Sequence, residues 1–278
     1  MTDCTAAKQG PEGHAKSGQG VNAVDLGRDS LSSELRPRNS GAFLHAEWTK
    51  LRTSPGTPWL LLAIVATTVA VSLITAALAP AGDGADPVRV SLTGVQLGQA
   101  VVAILAVLTI GGEYGTGMIR TTLAAMPRRT AVLTAKAAIL SGVVIVAAAL
   151  AVPASLIFSP LDLGDGPVLR AAVGSVLYLA LIALLSLGIG AAVRNPAAAV
   201  GVVLGLLYVL PLLIPALADP DWRRHAQQIG PTTAGLAIQA TTGLDDLAIS
   251  PWRGLGVLAA WAAGALVAGG LLLRLRDA

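Results

Sequence analysis

Ala171 to Val193 reads AAVGSVLYLALIALLSLGIGAAV, without one Asp, Glu, Lys or Arg. A helix on the surface of a soluble domain keeps a polar stripe at the helical period. This stretch is apolar all round, so it leaves no face for water. The hydrocarbon core of a bilayer is about 30 Å thick and is crossed by about 20 apolar residues rising about 1.5 Å each. A charge at the centre of such a helix costs about 2.5 to 3.5 kcal/mol on insertion scales, while each Leu, Ile, Val or Phe returns only about 0.3 to 0.6 kcal/mol. The missing charges therefore decide the reading. Outward from here, the same test is passed by Trp59 to Leu78, Leu92 to Ile110, Ala137 to Ile157, Ala197 to Leu217 and Leu255 to Leu273.

These stretches predict an all-α integral membrane protein with six transmembrane helices at about 59–78, 92–110, 137–157, 171–193, 197–217 and 255–273. With 54% hydrophobic and 13% charged residues, the composition excludes an ordinary soluble domain of this length. Residues 41–278 form one six-helix unit on this reading. Residues 1–40 are rich in Gly, Ser, Gln and charge, and are expected to be a disordered cytoplasmic tail without a cleavable signal. The single cysteine, Cys4, rules out an intramolecular disulfide and suits a reducing compartment.

Orientation follows from the basic residues. Alternating the loops gathers Lys8, Lys16, Arg28, Arg36, Arg38, Lys50, Arg52, Arg120, Arg128, Arg129, Lys136, Arg194, Arg274 and Arg276 on one side, and Arg89, Arg170, Arg223, Arg224 and Arg253 on the other. Fourteen against five predicts that both termini are cytoplasmic. The outer loops hold Asp83, Asp86, Asp162, Asp165, Asp219, Asp221, Asp245 and Asp246. The net charge of +3 thus records membrane orientation rather than affinity for nucleic acid.

Before the first span, Leu44, Trp48 and Leu51 fall at i, i+4 and i+7, which predicts a short amphipathic helix from Ala42 to Arg52 on the inner leaflet. Trp48, Lys50 and Arg52 are its interface residues, joined by Arg128 and Arg129, and membrane lipids are the expected partner. The third outer loop, Ala218 to Arg253, has an uncharged centre from Ala226 to Leu244. That centre is either an ordinary solvated loop or a piece dipping into the outer leaflet as part of an exit. Gly94 and Gly98, Ser186 and Gly190, and Gly201 and Gly205 are small pairs at helical spacing, read as close packing. Gln96 and Gln99 share a face and are expected to bond between helices; Pro153, Pro211 and Pro215 should kink theirs.

The spans contain no ionisable group to bind and release a coupling ion, and no Gly-Lys dipeptide occurs anywhere to build a phosphate-cradling loop. Work against a gradient must then enter through a partner at a cytoplasmic surface. The loop after the second span reads Gly112-Glu113-Tyr114-Gly115-Thr116-Gly117-Met118-Ile119-Arg120-Thr121-Thr122-Leu123-Ala124-Ala125-Met126-Pro127-Arg128-Arg129. Ile119, Leu123 and Met126 line one helical face, Arg120 lies off it, and Pro127 ends it. A short helix of this kind suits docking to a soluble subunit.

Together with Glu47-Trp48-Thr49-Lys50-Leu51-Arg52 and Arg194-Asn195-Pro196, that loop makes Ala42 to Leu273 resemble ABC-2 type permeases, the membrane-spanning subunits of ABC exporters. The resemblance implies six spans in a bacterial plasma membrane, an amphipathic helix before the first, and a coupling segment that docks on a separate ATPase. It implies that Gly112, Glu113, Tyr114, Met118, Ile119, Arg120, Leu123 and Pro127 form that segment, with Glu113 and Arg120 its polar contacts. It also implies a second permease chain, identical or different, and ATP and Mg held by the ATPase rather than by this chain.

No catalytic or metal-ligating set is expected. His14, His45 and His225 are scattered and lack the spacing of a metal site, and no G-x-S-x-G elbow supplies a nucleophile. Aromatic residues make up 4% of the chain, with Trp59 and Trp252 at span ends as interface anchors, which does not make a nucleic-acid surface. Two other readings stand beside the permease: an outer-face membrane enzyme or channel, and a non-transporting sensor or anchor subunit. For the permease, uncharged spans favour an apolar or amphipathic cargo such as a drug, peptide or lipid-like molecule.

Overall fold

The computed structural model describes residues 49, 56–78, 86–115, 129–157 and 165–275. The tail 1–40 lies outside them, as does the amphipathic segment 42–52 apart from Thr49, which is helical. The described residues form α1 (Gly56–Leu78), α2 (Pro87–Ser91), α3 (Gly94–Gly115), α4 (Arg129–Leu156), α5 (Gly166–Val193), α6 (Pro196–Leu204), α7 (Leu210–Leu213), α8 (Pro220–Ile229), α9 (Pro231–Gly235) and α10 (Pro251–Leu275). There is no strand among them. Six stretches are long and apolar enough to cross a membrane: Gly56–Leu78, Pro87–Gly112, Val132–Leu156, Gly166–Val193, Pro196–Ala216 and Pro251–Leu275. Most outreach the sequence-derived spans because polar and basic residues cap their ends.

Proline sets most of the starts. Pro87, Pro196, Pro220, Pro231 and Pro251 each occupy the first helical position, where the missing N–H is one the helix leaves unpaired in any case. Before three of them an Asp or Asn accepts from the first turn: Asp86 from Val88 N, Asn195 from Ala198 N at 3.0 Å, and Asp219 from Asp221 N at 2.8 Å. Inside the spans, lone hydroxyls bond back to their own helix, Thr67 to Ala63 O at 2.6 Å and Ser186 to Ile182 O at 2.7 Å, so they present no free polar group to lipid.

α3 and α5 are the centre: 61% of each of their spans is buried, against 17% for α1 and 22% for the fifth span. α5 packs on α3, α4, α6 and α10, and α1 packs on α3 and α4. Two of the small-residue pairs do what their spacing predicts. A Cβ on Gly94 would lie 1.9 Å from Thr68 O, and one on Gly98 2.2 Å from Thr68 Oγ1, so α1 and α3 touch backbone to backbone there. The Gly94 amide donates to Ser72 Oγ at 3.1 Å across that crossing. Gly190 abuts Ile110, while Gly188 meets the Ala265 and Leu266 backbone, so α5 and α10 cross equally closely. The third pair differs: Gly201 and Gly205 have nothing within 4 Å of an added Cβ, so this stripe packs against no other helix among the described residues.

Pro211 distorts its span without breaking it. Gly205–Val209 widens into a π turn, which places the Leu210 amide on Gly205 O and makes room for the proline ring one residue on. Pro215 falls in a closing 3-10 turn, Ile214–Ala216. Pro153 stays inside α4.

Candidate functional site

Where α3 and α5 end, two motifs far apart in sequence come together. α5 ends at Arg194, whose amide bonds Gly190 O at 3.2 Å and whose φ of 60° puts it in the left-handed region. A long side chain adopts that conformation at a cost of about 1 to 2 kcal/mol unless its surroundings impose it. Here the guanidinium sits 5.8 Å from the centre of the Tyr114 ring and its Nη2 donates to Leu272 O at 3.3 Å. Asn195 and Pro196 then start α6, and a Cβ on Gly111 would lie 2.7 Å from the Pro196 Cβ. The Arg194-Asn195-Pro196 turn therefore joins the ends of α3, α5, α6 and α10. Lys136, near the start of the third span, is buried.

Of the coupling-segment residues, Gly112 is exposed and Tyr114 half-buried at the end of α3. Glu113 is helical, with its side chain outside the described set; Met118, Ile119, Arg120, Leu123, Pro127 and Arg128 lie outside the described residues. Arg129 opens α4, its side chain likewise not described, and Trp48, Lys50 and Arg52 lie outside as well.

The opposite half of the spans holds a second arrangement. The segment after α8 turns back into the protein: Pro231, Thr232, Ala234, Gly235, Ile238 and Gln239 are buried. Gly174 of α5 leaves room for Ile238, Gly235 receives the Tyr178 ring, and Gly254 of α10 lies against Ala234 O. The uncharged centre of the third outer loop is thus in part packed between α5 and α10. Below it, Tyr178 Oη donates to Gln99 Oε1, Tyr208 Oη donates to Gln96 O, and Gln239 Nε2 donates to Ser175 Oγ at 3.1 Å. Gln99 bonds between helices as expected; Tyr178, its partner, carries no sequence signal of the pairing.

Asp86 fastens this segment from above. Besides capping α2, its carboxylate accepts from the Thr241 amide, from Thr241 Oγ1 at 2.7 Å and from the Thr242 amide at 3.0 Å. Arg170 Nη2 donates to Ala240 O at 2.6 Å from the other side. Burial alone raises the Asp86 carboxyl, but the Thr241 hydroxyl and the Thr241, Thr242 and Arg89 amides outweigh it and hold it below the ordinary 3.8. A depressed acid stabilises the fold above its unfolded value, and that contribution is lost as pH falls through the lower folded value. Asp86→Ala should loosen residues 240–242 by about 2 kcal/mol, the sum of a lost cap and a lost charge-assisted bond. Limited proteolysis from outside should cut this segment faster in the variant at pH 7. As pH falls below 3.8 the parent should begin to approach the variant's rate, and it should reach that rate once the depressed folded value is passed, while the variant's rate does not follow this titration.

Six apolar spans whose few charged residues lie toward their ends, a polar layer of interhelical bonds, and a junction of four span ends define a polytopic α-helical membrane protein. Residues 43–212 match the family model described as ABC-2 family transporter protein, and the chain belongs to that family. It is a permease subunit of an ABC transporter and a multi-pass membrane protein, working in general with an ABC ATPase. No curated protein matches the chain.

Proposed function

We propose that this permease exports an apolar or amphipathic compound across a bacterial plasma membrane, driven by a separate ATPase that docks on Gly112 to Arg129 and binds the ATP and Mg. Two permease chains, identical or different, enclose the path. The tail 1–40 and both termini are cytoplasmic. The observation that carries this reading is the junction around Arg194, which ties the base of the proposed docking segment at Tyr114 to the ends of the fourth, fifth and sixth spans. A push on that segment is thereby passed to helices that reach the outer side. The spans as read from sequence hold no Asp, Glu, Lys or Arg, which favours ATP over an ion gradient as the source of the push.

The topology is tested with single cysteines at position 162 and at the C-terminus in a Cys4→Ser background. A membrane-impermeant maleimide applied outside intact cells should label position 162 and leave the C-terminus untouched until the cells are opened. Labelling of the C-terminus from outside refutes the arrangement.

A further inference from the structure

α8, Pro220–Ile229, lies beyond the matched residues. At 100° per residue, Trp222, Ala226 and Ile229 share one edge of this helix, while Arg224, Gln227 and Gln228 share the other. Trp222 is 70% exposed and Ile229 60% exposed. The start of the helix is held at the outer end of the fifth span, and its finish is held both to the chain just before α10 and to α10 itself. At its start, Arg223 donates to Leu217 O, just past the fifth span, at 2.8 Å from Nη2. At its finish, Trp261 Nε1 of α10 donates to Ile229 O at 2.9 Å, and Gln228 Nε2 donates to Ala248 O, three residues before α10, at 2.8 Å. Since side chains lean toward a helix N-terminus, the Trp261 indole points up toward the outer boundary. α8 is thereby fixed beside the outer parts of two spans, its start level with the end of the fifth and its finish lower, against a residue ten positions into α10.

The half-buried Arg223, Ala226 and Gln227 mark the side turned to the protein, and Gln228 is half-buried as well, at its bond to Ala248 O. The Trp222–Ile229 edge lies about a quarter turn from that side, and exposed Arg224 lies about a quarter turn the other way. A helix seated at the boundary with those three directions presents its apolar edge to the membrane and its basic edge to water. We propose that α8 is an interfacial helix of the outer leaflet, with Trp222 and Ile229 among the upper acyl chains and Arg224 in the phosphate layer of the phospholipid headgroups. Tryptophan favours this depth, and a cation above an apolar edge complements the headgroup phosphates. Through Gly230 the same helix leads into the buried Pro231–Gln239 segment, so the lipid surface and the exit side share one continuous piece of chain.

The proposal rests on the topology above only for which leaflet is meant. The full chain, Cys4→Ser, carries one cysteine at a time at Trp222, Ile229, Arg224 or His225, labelled with NBD in phosphatidylcholine vesicles. Nitroxide on acyl carbon 5 should quench the label at 222 and 229 several-fold more than aqueous iodide does, with the reverse at 224 and 225. Equal iodide quenching at all four positions overturns the proposal in favour of a solvated loop. Protection of 222 and 229 from both quenchers, with 222–222 disulfides on oxidation, overturns it in favour of a second copy on this face. If maleimide labelling of intact cells places the C-terminus outside while the acyl pattern holds, the topology is overturned and the interfacial seating upheld.

Discussion

Gly94→Val should leave no stably folded permease, while Gly201→Val should fold like the parent. The two glycines look alike in sequence, each opening a small-residue pair four apart in an apolar span. A Cβ at 94 would stand 1.9 Å from a backbone oxygen of α1 and 2.5 Å from Ser72 Oγ, whereas at 201 it would meet nothing within 4 Å. A flexible side chain moves aside cheaply, but a helix backbone does not. Overpacking of ordinary sites costs about 1 to 3 kcal/mol, and an overlap with main chain exceeds that range. The Ser72 bond to the Gly94 amide is lost with it. Fluorescent fusions of the two variants, heated in mild detergent and followed by size-exclusion, should show aggregated Gly94→Val and parent-like Gly201→Val. If Gly201→Val nonetheless weakens cross-linking between permease chains, its open face is where the second chain sits. Parent-like melting of Gly94→Val would mean that α1 and α3 do not cross at Thr68.

How far the sequence carried the fold follows from what each signal depends on. The six spans were legible because length, apolarity and lack of charge are properties of single segments, and the Asp-Pro and Asn-Pro starts of α2, α6 and α8 are equally local. The packing partners were not. Gln99 was visible as a polar group in need of a bond, but Tyr178 lies 79 residues away and is indistinguishable from any aromatic in a span. The Asp86 clasp on Thr241 closes over 155 residues; Asp86-Pro87 announces a helix cap and nothing beyond it. Three small-residue pairs of equal appearance divided into two that pack and one that does not, because spacing specifies a shape and not its neighbour. Arg194 is the sharpest case. Its left-handed backbone is unusual for arginine; it closes α5 with a bond to Gly190 O and accompanies the contacts with Tyr114 and Leu272, none of which the span's composition announces.

Reversing the charges of the proposed docking segment, Glu113→Lys with Arg120→Glu, should reduce export more than about tenfold, the factor that about 1.4 kcal/mol of docking energy produces. Neither residue belongs to the hydrocarbon core, since the second span as read from sequence ends at Ile110 and the third begins at Ala137. Insertion should be intact, and stability should change by less than about 1 kcal/mol, the ceiling for exposed ion pairs. A large functional loss therefore falls on docking rather than unfolding. Arg128→Gln with Arg129→Gln is the control, since these cations serve orientation and inner-leaflet contact more than coupling. A third variant, Tyr114→Leu, separates docking from transmission. It keeps Glu113 and Arg120 while removing the ring beneath the Arg194 guanidinium, so the ATPase should still co-purify while export falls. Export and ATPase capture are measured side by side in membranes of matched permease content. Full export by the charge-reversed pair, with the ATPase still bound, would remove the docking role from Gly112 to Arg129 and transfer it to the segment Ala42 to Arg52.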